Sequence, residues 1–442
     1  MGLPVAGALC AGRFKLVHKL AIIATVFFFV LIIISVSTRS DYNLDVPPRY
    51  RDLIELQRDL PQHNLSLPYP EGETGRYVKF TSQINMLGWN NVFNELCSQR
   101  GYVFQDYVWK QDYYPWDESK AWEVPSRTPL PALISGPTAG GPWEVGDSAP
   151  RAIHQKWWDV VCPKDKIKVI WTHEVKKKYD IHWVKTAKQI FSVWNKILLE
   201  EEAQCVEVIA PQRDVEDFGQ VFDLWLWGSD RILDIWEEFR DSAVSRLLGT
   251  SAVVQRCVDR NLELFRTPQT YKHDPFSRVF AVHVRRGDYI QACTAGTYYQ
   301  TFLTALRPPP GGEWGKNTPE NTKEYFKHCL PEKDAIIKKI NDASKRMGEG
   351  GSHLKGEHFL NVLYILTNDK SEWMDDFTHQ LKSGHGWKII TSNNLVFGNS
   401  QEKDVGMQRA AMFMGNGWSS FTSNILHRRL VDGKIPISNR FF

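Results

Sequence analysis

The chain has 442 residues, 42% of them hydrophobic and 12% aromatic, a globular composition with material for two or three domains that excludes a disordered protein. Its 54 Lys and Arg face 51 Asp and Glu, and the excess of three is Arg13, Lys15 and Lys19, which share residues 1–19 with no acid. The rest of the chain is neutral, so its charge implies no nucleic-acid partner.

Those three cations precede "LAIIATVFFFVLIIISV", residues 20–36, a run without charge. At 1.5 Å per residue it spans roughly 25 Å as a helix, enough for the thinner membranes of the early secretory pathway. It reads as a signal anchor, with residues 1–19 as a cytosolic tail and everything after residue 37 lumenal. A cleaved signal peptide competes, because Ser35-Val36-Ser37 has the small-x-small pattern of a cleavage site. Residues 37–74 follow as a Pro-containing stem. A short amphipathic helix is expected in "RYRDLIELQRDL", and Asn64-Leu65-Ser66 is a glycosylation acceptor.

From residue 75 the pattern changes. The strand "GRYVKF", the Gly-containing loop and helix of "TSQINMLGWNNVFNELC" and the strand "GYVFQDYVW" form a βαβ unit, which argues for a parallel sheet. A second series begins at "RVFAVHV" and continues through "NVLYILTND" and "WKIITSN", each followed by helical sequence. Two αβ domains are expected, at 75–270 and 271–442. The Pro/Gly-rich "RPPPGGEWGKNTPEN" and "RMGEGGSHLKGEH" read as surface loops inserted into the second.

Apart from Cys10 in the expected tail, six cysteines remain: Cys97, Cys162, Cys205, Cys257, Cys293 and Cys329. An even number in an oxidising lumen suggests up to three disulfides. Cys293 and Cys329 flank one insertion, which a bond between them would clip. No Cys-x-x-Cys pair points to zinc.

In an open parallel sheet, ligands sit beyond the carboxyl ends of the strands. Three polar segments of the second series fall at strand ends or helix starts: "VRRGD", "TNDKSEW" and "GNGWSSFT". Arg285 and Arg286 supply charge for a phosphate. A helix start near Ser419 or Ser420 supplies backbone N–H groups, and Asp369 offers an acceptor for a base or ribose. An anionic nucleotide is the economical ligand.

"HVRRGDY", "LYILTNDKSEW" and "GNGWSSFTSNI" resemble the three motif regions of the α1,2-, α1,6- and protein O-fucosyltransferase superfamily, and "LGWNN" upstream resembles the Gly-x-Asn loop of its O-fucosyltransferase members. The likeness runs in order from about residue 75 to 430. It implies a GT-B-like α/β fold of two Rossmann-like domains facing a cleft, with the N-terminal membrane anchor. It also implies GDP-fucose as donor to a protein or glycan, inverting transfer without a metal, and a single-pass type II protein of the Golgi or endoplasmic reticulum membrane. By position, Arg285 matches the family's essential arginine on the β-phosphate and glycosidic oxygen, and His283 and Arg286 match its supporting neighbours. Asn90 matches the loop asparagine facing the donor, with Asn91 the alternative registration. Asp369 lies in the Thr-x-Asp region, and Ser419, Ser420 and Phe421 match the nucleotide-contacting Ser-Ser-Phe.

The chemistry agrees independently. Departure of a nucleoside diphosphate develops negative charge, which many glycosyltransferases meet with a divalent metal on Asp-x-Asp. This chain contains no Asp-x-Asp, so fixed arginines would carry that charge. Leu87 stands where some relatives place a glutamate base, leaving Glu95 or the donor phosphate acting through water to take the acceptor proton.

Two other functions compete: a transferase of this fold using another nucleotide sugar, and an inert lumenal binding protein that keeps the pocket. Each motif also has a plainer reading. "RRGD" can be a solvated strand end or an adhesion triplet, "NGWSSFT" an ordinary helix cap, and Asn90 a turn residue. The basic stretches "KDKIKVIW" and "HEVKKKYD" read as solvated faces, and the tryptophans as core.

Overall fold

Two five-stranded sheets, each parallel between all its neighbours, are built by chain segments that follow one another in sequence. They belong to a computed structural model that describes residues 50–81, 100–108, 127–182, 185–211, 230–270, 272–287, 289–295, 318–349, 360–369, 371–396 and 407–442. All of these residues fall in a single compact unit.

The first sheet comprises Tyr77–Thr81 (β1), Gly101–Phe104 (β2), Ile153–His154 (β3), Ile167–Trp171 (β4) and Cys205–Ile209 (β5), in spatial order β3-β2-β1-β5-β4. The second comprises Val279–Val284 (β6), Val362–Thr367 (β7), Lys388–Thr391 (β8), Met412–Gly415 (β9) and Asn439–Phe441 (β10), in order β8-β7-β6-β9-β10. Parallel neighbours need crossovers long enough to hold helices, and burial on both faces explains why β6 and β7 read as continuous apolar runs. All six residues of β6 are buried.

Alternate β6 residues enter different cores. Val279 and Ala281 join Val362 and Tyr364 in a cluster that also takes Val78, Phe80, Val206 and Val208 from the first sheet. Phe280, Val282 and Val284 face the opposite way, packing with Ile336 and Ile340 of a helix at Lys333–Glu349 and Phe377 and Leu381 of one at Glu372–His385. One core therefore runs through both sheets.

Several expectations are revised. The exposed stem expected over 37–74 is, from residue 50 on, part of the folded unit. Helix Arg51–Arg58 forms as its amphipathic pattern suggests, but Gln57, Leu60 and Gln62 are buried, and Gln62 Nε2 donates to the carbonyl of Ala152 at 2.6 Å. The polar side chains hid this docking, because they are buried by hydrogen bonding, Gln62 to backbone and Gln57 to the Asp106 carboxylate, instead of by being apolar. "KDKIKVIW" is not merely a solvated basic face, since its last five residues are edge strand β4. "HEVKKKYD" lies largely in helix Thr172–Tyr179, with Lys177 and Lys178 exposed. Among the described residues no helix is long and apolar enough to cross a membrane, and the expected anchor at 20–36 lies outside them.

Candidate functional site

The strand order of the second sheet reverses between β6 and β9. Their register pairs Phe280 with Met412 and Val282 with Met414, so both strands deliver their carboxyl ends to the same edge. Connections leaving such neighbours diverge, and the crevice between them is where open parallel sheets bind ligands. "VRRGD" leaves β6 at this point and "NGWSS" leaves β9.

The arginine turn is braced from two sides. Gly287 has φ +66°, the left-handed conformation that glycine adopts without strain, and it lets the chain turn after Arg286. Asn368, next after β7, bonds to Arg286 backbone twice: its Oδ1 accepts from Arg286 N–H at 3.0 Å and its Nδ2 donates to Arg286 C=O at 2.9 Å. The Arg286 side chain reaches Asp369, Nε to Oδ2 3.3 Å, and lies over the ring of Trp373 at 4.0 Å. Half-buried Arg285 has its guanidinium 5.6 Å from the Tyr289 ring centroid, on the helix Tyr289–Ala295 that follows the turn.

On the other side, helix Ser420–Val431 begins after a turn in which Ser419 N–H donates to Asn416 C=O at 3.2 Å. Ser419 holds the N-cap position, yet its hydroxyl makes no capping bond to this helix. The anticipated side-chain cap is therefore absent there. The first turn presents backbone N–H groups at the positive end of the helix dipole. Phe421 packs its ring on His283, centroids 4.7 Å apart, and Thr422 Oγ1 lies 3.0 Å from His283 Nδ1. A β-carbon at Gly415 would sit 2.6 Å from Thr422 Oγ1, so a glycine is what lets this helix close onto the strand end.

Burial, aided by the charge of Arg285, pushes the His283 imidazole down to about 3, so it is neutral and acts as a fixed dipole. Burial alone would raise the Asp369 carboxyl. Bonds from the Ser371 hydroxyl and N–H, together with Arg286, outweigh it and hold that carboxyl below its usual range. Asp369 is thus an anion already committed to Arg286 and Ser371.

The sequence-expected residues separate into groups. His283 and Phe421 are in contact, as are Arg286 and Asp369, while Arg285, Ser419 and Ser420 lie at the same strand-end edge. Asn90, Asn91, Leu87 and Glu95 fall outside the described residues. Asn64 is exposed, with its Oδ1 accepting from Ser66 N–H at 2.9 Å. Sequence reasoning missed Asn368, Trp373 and Thr422. All three stood inside the quoted motifs, but adjacency in a motif does not tell which side chains brace and which face a ligand.

Cys293 and Cys329 are bonded, as their flanking of the insertion suggested. A second disulfide joins Cys162 to Cys205, and Cys257 is buried, with its Sγ donating to the carbonyl of Val396 at 3.8 Å. Among the described residues no cluster of three or more His, Cys, Asp or Glu is placed to hold a metal ion.

No family model and no curated protein matches the chain. Solved structures do. The high-resolution crystal structure of POFUT1 in complex with GDP is 14% identical, over 84% of this chain and 98% of its own, with a TM-score of 0.49. POFUT1 in its apo form gives 14%, 84%, 98% and 0.48. POFUT1 in complex with GDP-fucose, in its crystal form I, gives the same four values.

Proposed function

We propose that this chain is an inverting, metal-independent fucosyltransferase that moves L-fucose from GDP-fucose to a hydroxyl of a protein or glycan. In this reading residues 271–442 bind the donor, residues 75–270 serve the acceptor, and residues 20–36 hold the enzyme in the Golgi or endoplasmic reticulum membrane with its catalytic part lumenal.

One observation carries the proposal. Two arginines and the start of a twelve-residue helix meet at the strand-order reversal of a parallel sheet, inside the motifs that resemble the fucosyltransferase superfamily. Breaking the sugar–phosphate bond leaves charge on the diphosphate while the sugar gains oxocarbenium character. Arg285 meets that charge at the β-phosphate and bridging oxygen, and the helix start receives the phosphates through its N–H groups. Arg286 is held by Asp369 and Trp373, so it arrives already oriented. Neutral His283 supports the sheet end without repelling the arginines. By the family resemblance, Asn90 is assigned to donor binding as well.

The test incubates the full-length chain with a panel of nucleotide sugars in the presence of EDTA and follows nucleotide release. GDP is expected from GDP-fucose alone. UDP release would assign another donor, activity lost to EDTA would overturn metal independence, and absence of both turnover and GDP binding would overturn the enzyme reading.

A further inference from the structure

We infer that Asn416 and the Cys293–Cys329 disulfide form a clamp that sets the spacing between the arginine turn and the serine turn, and so determines how tightly the diphosphate is held. This inference rests on the donor site proposed above and adds positioning residues to it.

Asn416 is buried, directly after β9, and its side chain faces two ways. Oδ1 accepts from Trp418 N–H at 2.9 Å, closing the turn that leads to Ser419. Nδ2 donates at 2.6 Å to the carbonyl of Cys329, the last residue of helix Thr322–Cys329. That carbonyl is among those a helix leaves unsatisfied at its end, so the bond completes the helix and ties the serine turn to it. The Cys329 sulfur is bonded to Cys293, with Cα atoms 6.0 Å apart, in the helix that starts three residues after Arg286. Tyr289, Tyr325 and Trp418 pack around the disulfide in one buried cluster, and Arg285 rests against the Tyr289 ring. A continuous path thus runs from Arg285 through Tyr289 and the disulfide to Asn416 and Ser419. Adjacent strands fix where the two turns begin, and this path fixes where they end. Two groups that grip one diphosphate together lose affinity steeply when their separation drifts.

The bond also explains the sequence requirement. Asparagine supplies an acceptor and a donor on one short side chain. Aspartate keeps the acceptor for Trp418 but turns an oxygen toward the Cys329 carbonyl.

The test measures GDP binding by calorimetry and donor kinetics on the full-length chain for Asn416→Asp and for the double variant Cys293→Ala/Cys329→Ala. Cys162→Ala/Cys205→Ala is the control, since it removes a disulfide closing a loop of similar length in the first sheet. Both clamp variants should bind GDP at least tenfold more weakly and raise the donor KM in step. The control should lower the melting temperature and leave GDP affinity unchanged. Should Asn416→Asp not fold, the double variant alone decides. Parental GDP affinity in folded clamp variants would overturn the clamp while leaving the donor site intact. An equal loss of affinity in the control would also overturn it, by reducing the effect to general destabilisation. A parent that binds no GDP would overturn the nucleotide reading itself, and the clamp with it.

Discussion

Two adjacent arginines on one turn are given different work by what surrounds them. Arg286 is bonded to Asp369, stacked on Trp373 and held at its backbone by Asn368, so most of its charge is answered within the protein. Arg285 lies over the Tyr289 ring, and its charge adds to the burial that lowers the neighbouring His283. Lysine at 285 keeps the charge but loses the planar fork that grips two oxygens at once. Because that grip strengthens as the bond breaks, the loss should fall on kcat more than on GDP affinity. Arg285→Lys is expected to fold, to bind GDP, and to lose about two orders of magnitude in transfer. A fully active variant, assayed with GDP-fucose, would sink the mechanism even if fucosyl transfer were established.

Helix Ser420–Val431 is fastened at both ends. At its far end buried Arg429 donates to Asn439, to Ser438 Oγ at 2.8 Å and to the carbonyl of Ala410 at 2.6 Å. At its near end Thr422 meets Gly415 and His283. Alanine at 415 would place its β-carbon 2.7 Å from Thr422 Cγ2 and 3.0 Å from the Phe413 ring, so the helix start must retreat from β9. Gly415→Ala should cost about 1–3 kcal/mol in urea denaturation and weaken GDP binding, because the retreat moves Thr422 off His283. Unchanged stability would show that the contact is slack. This near end was half legible in the sequence. The Ser-Ser-Phe-Thr segment and a helix start near Ser419 stood out. Strand β9 did not, because four residues rich in methionine, without β-branching or alternation, carry no period. Strand β10 was missed for a related reason: three residues after a helix and a turn gain their strand character only from pairing with β9. By contrast β6 and β7, each apolar at five of six residues and buried on both faces, announced themselves.

Among the described residues, His283 and His427 are buried and neutral, which ties the stability of the whole molecule to pH. His283 and His427 are each pushed down to about 3, chiefly by burial, and His63 and His328 are displaced the same way. In the unfolded chain a histidine protonates near pH 6.5. Below that value the unfolded state takes up protons that the folded state refuses, so stability falls as pH drops from about 6.5 toward 3 and is fully present above that window. Between pH 7 and 5 the first two should each withdraw about 2 kcal/mol, acting in the same direction as protonation of Asp369 at still lower pH. His427 is the cleaner probe, since it lies away from the donor site and bonds Ser245 Oγ at 2.7 Å between two aromatic rings, Trp236 and Phe239. Urea denaturation at pH 7 and pH 5 should show the parent losing several kcal/mol. His427→Gln, starting from a lower stability, should lose about 2 kcal/mol less over the same interval. Equal stability of the parent at both pH values would mean that these histidines reach protons without unfolding, and the tight burial around the helix that starts the donor site would then be wrong.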